Sequence, residues 1–80
     1  MKIELYPYDY SRQTIESQTA KVNGELQELI NAYDAENFAE ETFDVIQSLI
    51  GLLIVMGYDI DVANNRHMDK LRKRHGGVKQ

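Results

Sequence analysis

Apolar residues recur at Ile15, Val22, Leu26, Leu29, Ile30 and Tyr33, close to the 3.6-residue period of a helix, with no proline between them. The spacing predicts a first helix over about 11–34, in which Gly24 costs roughly 1 kcal/mol relative to alanine. After a short connection at 34–37, Phe43, Ile46, Leu49, Ile50, Leu53 and Met56 form one broad apolar face of a second helix over about 38–56, which Gly57 stops. So short a connection returns the second helix antiparallel to the first. A third helix is expected from an N-cap at Asp59 to about His75, with Ile60, Ala63, His67, Met68 and Leu71 turned inward. Ahead of the helices, Tyr6, Tyr8 and Tyr10 fall at period two around the only proline, Pro7, and read as an extended arm whose rings stack on a base or, the favoured reading, pack on a neighbouring subunit. The chain thus divides into an arm over 1–10, an all-α domain over 11–75 and a flexible tail over 76–80.

The other face of the second helix changes this picture. Glu41, Asp44, Ser48, Gly51 and Val55 line up at helical spacing, so acidic residues continue into small and apolar ones. A solvated face would continue into lysines and glutamates instead. Ser48 and Gly51 permit another helix to approach closely, which is expected to place Asp44 under a packed neighbour, where an uncompensated charge is expensive. The chain carries two acidic pairs of this kind, Glu25-x-x-Glu28 and Glu41-x-x-Asp44, each with both carboxylates on one side of its helix. With 13 Asp and Glu in 80 residues, such pairs arise by chance about twice, so the spacing alone decides little. Their order is more informative: a pair late in one helix and a pair early in its antiparallel partner bring four carboxylates together. A hard divalent cation, Mg²⁺ or Mn²⁺, relieves their repulsion.

Length and charge narrow the possibilities further. Eighty residues form one domain with a core too small for a comfortable monomer, so oligomerisation is expected. The absence of cysteine removes disulfide and thiolate-zinc alternatives. A net charge of -4 argues against a general nucleic-acid binder, although Arg66, Lys70, Arg72, Lys73, Arg74 and Lys79 make the far end basic. The run Leu49–Met56 falls well short of the ~20 residues that span a bilayer and reads as a buried helix. The N-terminus has polar residues where a signal peptide is apolar, so the expected location is the cytoplasm, with no membrane partner.

The frame Lys21-Val-Asn-Gly-Glu-Leu-Gln-Glu28, followed by Glu41-Thr-Phe-Asp44, the stretch to Leu53, the Gly57-Tyr-Asp-Ile turn and Arg66–His75, resembles the MazG-like all-α nucleoside triphosphate pyrophosphohydrolases, in particular their small single-domain phage and bacterial members. The likeness covers about 14–76. It implies a helical hairpin plus third helix that a homodimer or homotetramer completes into a four-helix-type bundle, in the cytoplasm of a bacterium or phage-infected host, and Mg²⁺ held by Glu25, Glu28, Glu41 and Asp44. It further implies cleavage of a (d)NTP to (d)NMP and pyrophosphate, in the manner of nucleotide-pool housecleaning, with Lys70 and Arg74, then Lys73 and Arg66, contacting phosphate. Many relatives carry an asparagine near the position of Lys70 or Leu71; here Asn64 and Asn65 lie a turn or two earlier. The rival readings are a non-catalytic helical oligomerisation or regulatory module and, ranked lower, pyrophosphohydrolysis of a special substrate such as phosphoribosyl-ATP.

Overall fold

A computed structural model describes residues 2–76, which form three helices, α1 (Ile15–Ile30), α2 (Ala35–Val55) and α3 (Ile60–Arg74), and no strand among the described residues. The expected tail lies, apart from Gly76, outside them. Caps set the boundaries and shift three of them from the pattern-based expectation, including the end of α1, which comes at Ile30 with Asn31 as C-cap and leaves Tyr33 outside the helix and exposed. Thr14 and Ser17 form a reciprocal capping box, with Ser17 N–H donating to Thr14 Oγ1 at 3.0 Å and Thr14 N–H to Ser17 Oγ at 2.9 Å. That holds residues 11–14 out of α1. Asp34 caps α2 by accepting from Asn37 N–H at 2.7 Å, so this helix begins at Ala35, earlier than its apolar stripe does. Asp59 caps α3 as expected, and Gly57, at φ 86°, turns the chain between α2 and α3 in a conformation that side chains disfavour.

The hairpin of α1 and α2 packs along an unexpected seam. Its buried residues are Gln18 and Val22 from α1 and Val45, Ser48 and Gly51 from α2. Val22 and Val45, 6% and 8% exposed, are the only buried hydrophobic side chains among the described residues. The small face of α2 thus faces α1, as Ser48 and Gly51 foretold. The broad apolar face does not: Phe43, Leu49 and Met56 are exposed, together with Ile54, and Ile46, Ile50 and Leu53 are only half-buried. Leu49–Met56 is therefore not a buried helix within the single chain.

Tyr10 explains why the seam needs a glycine. A Cβ on Gly51 would lie 2.6 Å from the Tyr10 ring and 2.9 Å from Gln18 Nε2, so only glycine admits both. Gln18 Nε2 donates to the Ser48 carbonyl at 3.0 Å, and Gln47 fastens the arm: it accepts from Tyr6 N–H at 2.7 Å and donates to Tyr6 O at 3.1 Å and Tyr10 Oη at 2.9 Å. Tyr10 thereby packs on its own chain and not on the neighbouring subunit expected for the arm, whereas Tyr6 and Tyr8 remain exposed.

Helix α3 departs from α2 at a bend of 113° and touches it only near the turn, making no contact with α1. Ile60, Ala63 and Leu71 are half-buried, but His67 and Met68 are exposed, so the inward placement expected for both is corrected. Their side of α3 has nothing packed against it. The radius of gyration, 15.1 Å, exceeds the roughly 12 Å of a compact chain this long. The surface tells the same story: 6588 Å² against about 4,900 Å² for a compact monomer of this mass. No single described helix is long and apolar enough to cross a membrane.

Candidate metal centre

Three of the four predicted carboxylates converge where the late part of α1 meets the early part of α2. Glu25, Glu28 and Glu41 each bring a carboxylate oxygen within 4.8 Å of the others. Antiparallel packing does this: the pair on α1 points at the seam near its end, and Glu41 lies on the continuation of the buried Val45–Ser48–Gly51 face. Glu25 and Glu41 are half-buried and Glu28 is exposed. Asp44 stands outside this group of three and is exposed, so no neighbouring helix covers it in the chain, contrary to expectation. It still acts on the group through Glu41.

Glu41 holds the electrostatic tension of the cluster. One of its oxygens, Oε1, is buried and has no hydrogen-bond donor, while Oε2 receives only a long 3.5 Å bond from Asn37 Nδ2. Desolvation, then the neighbouring charges of Glu28 and Asp44, raise its pKa above the ordinary carboxylate value, against a smaller lowering by Asn37. A buried carboxylate oxygen without a donor, crowded by other carboxylates, has the environment that a cation relieves. The donor set is all oxygen, which suits Mg²⁺ or Mn²⁺ over softer metals.

Two residues that the pattern did not single out belong to this neighbourhood. Lys21 Nζ lies 3.6 Å from Glu25 Oε2, one turn earlier on α1, and Asn37 reaches Glu41 from one turn earlier on α2. The i,i+4 spacing was the available signal for both. The cations of α3, in contrast, are not gathered here. Arg66, Lys70, Lys73 and Arg74 are exposed on a helix that makes no contact with α1, and Glu41 lies about 21 Å of helix from the α2 terminus where α3 departs. Comparison of the chain with protein-family models, curated proteins and solved structures finds no match in any of the three.

Proposed function

We propose that this protein is a Mg²⁺-dependent nucleotide pyrophosphohydrolase that cleaves a (d)NTP to (d)NMP and pyrophosphate as a homo-oligomer. The observation that carries the reading is the convergence of Glu25, Glu28 and Glu41 around a buried, unpaired Glu41 oxygen, with Asp44 beside it. Glu25, Glu28, Glu41 and Asp44 hold the cation. When bound, Mg²⁺ or Mn²⁺ supplies neutralisation of phosphate charge and an acidified water. Hydrolysis would add a water across the α–β anhydride, its oxygen ending on the α-phosphorus, the bridging oxygen leaving with pyrophosphate, and its protons passing to the products or the solvent. Lys21, whose ammonium sits at long range from Glu25, turns to a phosphate oxygen when substrate brings one close.

Lys70, Arg74 and Lys73 contact the triphosphate from a second copy, because their helix turns away from the carboxylates of its own chain. The exposed apolar face of α2 and the surplus surface support this assembly. An excess of roughly 1,700 Å² on one chain is about twice the ~800 Å² that each partner buries in a standard interface and falls in the range of large obligate ones. A non-catalytic oligomerisation module would use the same apolar face but gives no reason for the unpaired Glu41 oxygen.

The test is pyrophosphate release from the eight common NTPs and dNTPs with Mg²⁺, with and without EDTA. Metal-dependent release of pyrophosphate with monophosphate is expected, falling more than about 100-fold in Glu41→Gln or Asp44→Asn at unchanged helical content. Turnover that survives either substitution removes the carboxylates from the chemistry. Release from none of the eight by a folded oligomer leaves the non-catalytic module.

A further inference from the structure

Among the described residues, two buried side-chain oxygens lack a hydrogen-bond donor: Glu41 Oε1, in the carboxylate cluster, and Gln18 Oε1, farther along the same seam. Gln18 is fully buried, and its Nε2 donates to the Ser48 carbonyl. A peptide carbonyl only accepts, so the amide orientation is fixed and the remaining atom is an acceptor. Gln18 forms part of the wall of a cavity of about 230 Å³ between the arm and the start of α1, together with Tyr8, Asp9, Tyr10, Gln13 and Lys21. Lys21 joins the two places, since it lines the cavity and pairs with Glu25.

The aromatic wall is held in place. Tyr8 lies between Tyr6 and Tyr10, at ring-centroid distances of 4.7 and 6.0 Å, and Gln47 ties both flanking residues to α2. Gly51 leaves the room in which Tyr10 and Gln18 lie together. From Gln18 to Glu25 is about 10 Å along α1, comparable with the span from the base of a nucleotide to its phosphates.

We infer that this cavity is the base subsite, with the Tyr8 ring as the stacking face, the Tyr10 ring inclined to it at 62° as a side wall, and Gln18 Oε1 accepting from a ring N–H or amino group on the edge of the base. The inference rests on the carboxylate cluster being a nucleotide site, yet it can be tested apart from hydrolysis, because a nucleoside without phosphates needs neither metal nor cleavage. The full chain, isotope-labelled, is titrated with cytidine, uridine, adenosine and guanosine by NMR. At least one is expected to shift the Gln18 side-chain amide and the Tyr8 and Tyr10 resonances. Its affinity should drop about tenfold in Gln18→Met and in Tyr8→Leu, the latter at an exposed position where the fold is undisturbed.

Nucleoside binding there without pyrophosphate release from any triphosphate keeps the subsite and removes the pyrophosphohydrolase. The opposite failure is equally clear. Metal-dependent release at equal kcat/KM from all eight nucleotides and from inorganic tripolyphosphate, unaltered by Gln18→Met or Tyr8→Leu, overturns the subsite, as does the absence of any nucleoside-induced shift at Gln18 and Tyr8.

Discussion

The two faces of α2 reverse the ordinary division of labour in a small helical protein. The face that packs on α1 is built from Glu41, Val45, Ser48 and Gly51, while the face bearing Phe43, Leu49 and Met56 is left open. Burial of apolar surface is the main favourable term in folding, so the richer source of stability is unused within one chain. Specificity comes from the seam, where close approach, one amide-to-carbonyl bond and a glycine fix the register of the hairpin. Stability is then expected to come from the outer face once it is covered.

The largest effect should follow from putting a charge on the outer face. Leu49 is 44% exposed in the chain, so a glutamate there can carry its charge to solvent within the protomer. If association covers that position, the unpaired charge costs several kcal/mol, and the variant should run as a smaller species in size-exclusion with most of its helical signal lost. An unchanged elution volume and melting curve would mean that the outer face stays in water.

The seam is broken from the other side by Gly51→Ala. Alanine in a helix interior normally stabilises by up to about 1 kcal/mol over glycine, but here its Cβ meets the Tyr10 ring and Gln18. A net loss of about 1–3 kcal/mol is expected, lowering Tm by very roughly 4–20 °C. Gly24→Ala is the internal control, since nothing lies within 4 Å of the added atom. It should stabilise by about 0.5–1 kcal/mol. Equal shifts in the two variants, read by thermal melts, would deny the seam its tight packing.

The smallest effect concerns the end of the seam. A folded-state pKa above the unfolded value means that the folded chain binds more protons than the unfolded one in the interval between the two. Without metal, stability should therefore fall as pH rises from about 4.5, the unfolded value, through the raised folded one. Glu41→Gln should flatten that slope. Added Mg²⁺ or Mn²⁺ should raise Tm in the wild-type chain near neutral pH and much less in the variant. A slope unaltered by Glu41→Gln would assign the pH dependence to other groups.

Much of the site was legible because helical periodicity converts spacing into sidedness. Glu25, Glu28 and Glu41 needed only two helices and a short connection to be expected together. Asp44 was harder, since its exposure depends on whether anything packs against α2 beyond α1. Gln18 gave a fainter signal. It is a polar residue on the stripe between Ile15 and Val22, and periodicity alone reads such a position as a blemish. Its role appears only when the Ser48 carbonyl and the Tyr10 ring are found beside it.

The three helices, the cap at Asp59, the turn at Gly57 and the sidedness of the carboxylates are legible in the residue pattern, because they follow from local backbone chemistry and the 3.6-residue repeat. Only the folded chain shows that the bulky apolar face of α2 stays open, that His67 and Met68 stay outside, and that α3 leaves the hairpin at a wide angle. Those outcomes depend on competition between surfaces distant in sequence. In α2 the small face fits close to α1 and the arm, whereas its bulky apolar face finds no partner within the chain.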